Sequence, residues 1–66
     1  MDYIYGRYPR RAGWILKEVE HALAPHATQE ARFAYGYQVA EFTEKEDLLL
    51  FVSAKGIADR TEEWNA

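Results

Sequence analysis

Six apolar residues, Ala12, Ile15, Leu16, Val19, Ala22 and Leu23, fall at i, i+3, i+4, i+7, i+10 and i+11 along the chain. That spacing draws one stripe down a 3.6-residue helix. Pro9 and Pro25 bracket the segment. Proline suits a first helical turn, where its missing N–H costs nothing, and stops a helix further along. The pattern predicts a helix over residues 9–24, with Gly13 costing about 1 kcal/mol relative to alanine. Before it, Asp2 to Tyr8 is rich in tyrosine and isoleucine, the composition of a short strand. After it, Thr28 is placed to cap a short helical turn running through Arg32.

The second half alternates loosely from Phe33 to Phe42, with Tyr35, Tyr37 and Val39 on one side. Leu48-Leu49-Leu50-Phe51-Val52 is an unbroken apolar run, and the polar loop Thr43 to Asp47 before it has hairpin length. Lys55-Gly56 reads as a two-residue turn, with glycine supplying positive φ. Ile57 to Trp64 is then a last strand. The expected fold is α+β: one N-terminal helix packed on a small antiparallel sheet, in the order strand, helix, three-stranded meander. An all-α arrangement competes with it. Thr43-Glu44-Lys45-Glu46 also fits a helix capping box. Gly56 also fits the residue just past a helix end, with Ile57 packing back.

Composition narrows the class. At 66 residues and 7.7 kDa the chain has room for a single domain, residues 1–66. With 48% hydrophobic and 15% aromatic residues it is too apolar for a disordered segment. It contains no cysteine, which removes disulfides, thiolate zinc sites and cysteine nucleophiles together. No apolar run approaches the roughly 18 residues of a membrane span, and Asp2 near the start argues against a signal peptide. The expectation is a cytoplasmic protein without membrane contact. In the predicted meander Leu49 and Phe51 point opposite to Leu48, Leu50 and Val52. One helix covers one sheet face only, so a homodimer or a partner is expected to cover the other.

Charge is spread unevenly. The formal net charge is −3, yet residues 1–17 set Arg7, Arg10, Arg11 and Lys17 against Asp2 alone. The remaining segment is acidic, which disfavours nonspecific duplex binding through many phosphate contacts. No constellation for catalysis stands out, and no enzyme is expected. His21 and His26 do not share a helical face and lack further ligands for a metal. Glu62-Glu63 and Glu44/Glu46 read as solvated carboxylates, because a catalytic pair needs burial that separates its pKa values. The glycines are isolated, without a phosphate loop, and Ser53 has no elbow motif around it. No cofactor is implied.

The segment that does stand out is Tyr3, Tyr5, Arg7, Tyr8, Arg10, Arg11 and Trp14. Arginine and aromatic residues are the types enriched at binding hot spots. On the predicted helix, Arg10, Trp14, Lys17 and His21 form a second stripe, with Arg10 placed over the Trp14 ring. The expected partner-binding residues are Arg7, Arg10, Arg11 and Trp14, with Tyr5 and Tyr8 beside them. The expected function is a small non-enzymatic protein-interaction module whose partner is a larger protein or a ribonucleoprotein complex. The alternative is a nucleic-acid-contacting protein using the same patch, since stacking rings beside arginines suit single strands.

The stretch Val39…Phe42-Thr43-Glu44…Leu48-Leu49-Leu50…Gly56 resembles the hairpin region of small phage-encoded anti-CRISPR proteins of the type I class. The resemblance implies an inhibitor that docks on a CRISPR surveillance complex and hinders target DNA binding through lysines and arginines. In this chain only Lys45 and Lys55 lie beyond residue 17 as lysines.

Overall fold

The computed structural model describes residues 1–23 and 27–65, with the side chain of Leu23 left undescribed. Pro25, the predicted helix stop, and His26 lie outside the described residues. The chain runs β1 (Asp2–Gly6), β2 (Trp14–Val19), a 3-10 turn at His21–Leu23, α1 (Gln29–Tyr35), β3 (Tyr37–Phe42), α2 (Lys45–Ala54), a 3-10 turn at Ala58–Arg60 and β4 (Thr61–Glu63). The strands form one four-stranded sheet in the order β3-β2-β1-β4. Antiparallel pairing joins β1 to β2 and β2 to β3, while β4 adds parallel to β1. The α+β class stands. The N-terminal helix and the all-antiparallel meander do not.

Residues 14–19 are the main correction. Ile15 and Leu16 fit a helical stripe, but in β2 they point to opposite faces of the sheet and both are buried. Ile15 and Val19 join Ile4 and Phe33, the buried residue of α1, in one cluster. Leu16 joins Tyr5, Leu48, Val52 and Ile57 in the other. A strand buried on both faces loses its polar alternation, and its apolar positions then mimic helix spacing. Trp14, Ile15 and Val19 are residue types that favour strands. Pro9 fits here for the reason that suggested a helix, its fixed φ. It occupies the second position of a turn closed by Arg11 N–H to Tyr8 O at 3.1 Å.

Thr28 caps α1 as expected, accepting the Ala31 N–H at 3.1 Å, though the helix runs on to Tyr35. The apolar run Leu48–Val52 is helical. Leu48 and Val52, four residues apart, are buried, while Leu50 is 68% exposed. The helix cap is Glu44, without a side-chain bond, and Glu46 and Asp47 in the first turn favour the helix dipole. Gly56 has the positive φ expected, 72°, but it ends a helix and not a strand, so no hairpin turn forms there. Its N–H reaches Ser53 O and the Ile57 N–H reaches Val52 O, both at 3.1 Å. These bonds satisfy the last carbonyls and fold Ile57 back onto Val52 in the core.

The sheet is therefore covered twice, by α1 on one face and α2 on the other. The bare sheet face from which a homodimer or a partner was expected is not there, because residues 45–54 supply the missing layer. The C-terminal segment is tied in by polar contacts. Arg32 on α1 binds Glu62 through Nε at 3.1 Å and Nη2 at 2.6 Å, and Gln29 reaches the same carboxylate at 3.1 Å. Trp64 N–H donates to Tyr5 O at 2.8 Å, and its ring stacks on Phe33 at 4.6 Å.

Leu48 and Leu50 separate a helix from a strand at this position, because they would share one face of a strand. Leu48→Lys should abolish cooperative unfolding, whereas Leu50→Lys should change stability by less than about 0.5 kcal/mol in a denaturant titration. Equal damage from both substitutions would contradict the helix.

Candidate partner-binding surface

The connection between β1 and β2, residues 7–13, carries three of the chain's arginines at one end of the sheet. Arg7, Arg10 and Arg11 are all exposed. Arg7 rests over the Trp14 ring, with its guanidinium carbon 5.2 Å from the centroid. The expected contact between Arg10 and Trp14 belonged to a helix; on the turn and strand that form instead, Arg7 takes that place. Lys45 lies 5.4 Å from the same ring, so the half-buried indole is flanked by two cations. A ring held this way keeps part of its surface for solvent while its body packs on the core.

Arg10 and Arg11 differ from the other cations. Among the described residues neither has an ion pair, a side-chain hydrogen bond or an aromatic ring beneath it, whereas Arg7 and Lys55 each lie over a ring. Lys45 binds Glu63 at 2.9 Å and Arg32 binds Glu62 at 2.6 Å. Two guanidinium groups on one tight turn, paired with no carboxylate among the described residues, leave a local positive charge on an acidic molecule, although the Glu41 carboxylate lies against Gly13 of the same connection.

The two tyrosines assigned to the surface belong to the interior. Tyr5 is buried in the cluster beneath α2. Tyr8 is half-buried, with its ring edge-on to Phe33 at 5.3 Å and to Trp64 at 6.1 Å. Its hydroxyl accepts a 3.1 Å hydrogen bond from Lys17. Lys17, only 7% exposed, spends its charge on this hydroxyl and on the Phe33 ring at 4.6 Å. It is a packing residue, not a member of a surface stripe with His21. His21 instead lies 2.7 Å from Asp2 near the opposite end of the β1–β2 pair. A shallow depression of about 320 Å³ beside the loop is lined by Arg7, Pro9, Trp14, Glu63, Trp64 and Asn65. Trp64 was not anticipated here. Its signal is Gly6, where an added Cβ would stand 2.9 Å from the indole.

The described residues contain no group of three or more side chains suited to a metal ion. No described helix is long and apolar enough to cross a membrane. The segment carrying the anti-CRISPR resemblance is a strand followed by a helix, not a hairpin. No family model matches the chain, and neither a curated protein nor a solved structure does.

Beneath this surface Tyr5, Lys45 and Glu63 form one network. Burial first, and the nearby Glu63 carboxylate second, push the Tyr5 phenol above its ordinary value of 10.0. The hydrogen bond to Glu63 is the main force raising Lys45 above 10.5. Both groups hold their protons more tightly when folded, so their contribution is complete below pH 10 and is lost as pH rises through the folded values. Thermal melts should show the midpoint falling progressively above about pH 10. Glu63→Gln should make that fall shallower, and an unchanged alkaline profile would contradict the network.

Proposed function

We propose that the protein is a small non-enzymatic interaction module that presents Arg10 and Arg11, backed by Arg7 and Trp14, to an acidic surface of a larger protein. The observation that carries the reading is the pair of exposed guanidinium groups without an ion pair or ring contact among the described residues. Arginines needed for folding are found in ion pairs or over rings, as Arg32 and Arg7 are here. Charges left outward on a turn steer association and set register at an interface. The loop is fixed at both ends by central strands, so little ordering is required on binding. Trp14 supplies a partly open aromatic anchor of the kind that dominates interface energies.

A single-stranded nucleic acid suits the site less well. Base stacking needs open ring faces beside the cations. Tyr5 and Tyr8 are packed inward, so neither provides one. An inhibitor that docks on a CRISPR surveillance complex is one form such a module takes, with the arginine turn as its contact. The cytoplasm is the proposed location on the same reading.

Affinity capture from a lysate of the source cells, treated with nuclease, tests the site with paired baits. The doubly substituted Arg10→Ala/Arg11→Ala bait should melt within about 0.5 kcal/mol of the parent in stability, as surface changes do. It should fail to retain the protein that the parent retains, while a Lys55→Ala bait retains it. Retention of a multisubunit ribonucleoprotein would select the inhibitor form. Loss of stability with capture intact would make the arginines internal and remove the assignment.

A further inference from the structure

The outer edge of β3 is the long free edge of the sheet. The other edge, β4, has three residues and ends in Glu62 and Glu63. Sheets guard such edges with charge, proline or a bulge. From Gly36 to Ala40 the chain carries neither charge nor proline, and its one guard is the bulge opposite Leu16 and Lys17. Two apolar side chains stand open there, Tyr37 at 74% and Val39 at 43% exposure.

Tyr37 is the cross-strand partner of Glu18 and so shares its face of the sheet. That face holds an open groove of about 320 Å³, close to the C-terminal end of α2. Leu16, Val39, Phe51 and Ile57 give it an apolar lining, and Glu18 and Lys55 add one charge of each sign. Lys55 covers the Phe51 ring at 5.6 Å and has no carboxylate partner among the described residues. A single patch thus contains a projecting phenol ring and a hollow of a size for one aromatic side chain. The hollow also offers a carboxylate able to accept a phenol hydrogen bond.

We propose that this patch is a two-fold interface between two copies of the chain, with Tyr37 of each copy seated in the groove of the other. A two-fold contact requires a surface that complements itself, and a knob beside its own hole meets that requirement. Antiparallel pairing of the two β3 edges centred on Gln38 sets Tyr37 of each copy opposite Val39 of the other, at the groove. The charges agree. Glu18 and Lys55 have opposite signs, so each can meet the other across the axis, and the paired backbone brings no like charges together. A strongly acidic or basic peptide would match only one of the two. The surface is separate from the arginine turn, so it stands or falls without the reading given above.

Sedimentation equilibrium of the full chain tests the inference, since Tyr37 is exposed and its replacement leaves the core intact. At roughly 100 µM the parent should sediment as a dimer. Tyr37→Lys should weaken association by about tenfold or more, as loss of a central aromatic anchor does. Leu50→Lys, an exposed apolar residue on the outer side of α2, should leave the dimer intact. Circular dichroism should be the same for all three. A parent that stays monomeric overturns the proposal, whatever else the groove binds. A dimer that survives Tyr37→Lys, or that Leu50→Lys dissociates, overturns it as well.

Discussion

The β1–β2 pair must be dry on both sides, and the rest of the structure follows from that constraint. Five residue pairs join the two strands, from Asp2↔Val19 to Gly6↔Ile15. Within them Ile4, Ile15 and Val19 face one way, and Tyr5 and Leu16 the other. Neither set can be buried by the same helix. The chain must supply two layers from few residues, and it does so with a seven-residue α1 and a ten-residue α2. Each helix contributes a minimal core, Phe33 from one and Leu48 with Val52 from the other. Such small layers bury little area apiece, so the aromatic residues carry much of the packing.

Thin layers also explain where the charges sit. Lys17 falls on the α1 face of a central strand and pairs with no carboxylate among the described residues. Ring faces and the Tyr8 hydroxyl take the place of an anion, and the apolar stem of the side chain is buried with the strand. Arg32 and Glu62 clamp α1 to the last strand, which has only three residues of its own pairing. With those cations engaged, Arg10 and Arg11 on the β1–β2 turn are left to face outward. The same economy leaves residues 36–40 at the outer edge without a guard of charge and leaves the groove by α2 open.

Part of this was legible in the sequence and part was not, for physical reasons that particular residues show. Tyr3, Ile4 and Tyr5 announced β1, and Thr28 announced the start of α1, because both signals are local. The excess of positive charge in residues 1–17 pointed to the arginine turn without any knowledge of fold. The segment from Pro9 to Leu23 misled because Ile15 and Leu16 are adjacent and both buried, a pattern that a helix stripe and a doubly covered strand share. Leu48 to Val52 was ambiguous for the opposite reason. An apolar run without polar interruption carries no period, and the deciding signals lay outside it, in the acidic first turn and in Gly56 with Ile57. The inward turn of Tyr5 and Tyr8 could not be read locally, since it depends on α2 and Trp64 arriving from far along the chain.

Two covering layers are needed only if residues 14–19 are an interior strand and not the middle of a helix. Backbone NMR with hydrogen exchange on the uniformly labelled protein tests it most directly. Strand-type Cα and Cβ shifts are expected from Trp14 to Val19, with cross-strand contacts between Ile4 and Lys17 and amides in β1 and β2 that exchange more slowly than those on the outer side of β3. Helical shifts across Ile15 to Val19, or slow exchange confined to α1 and α2, would contradict it.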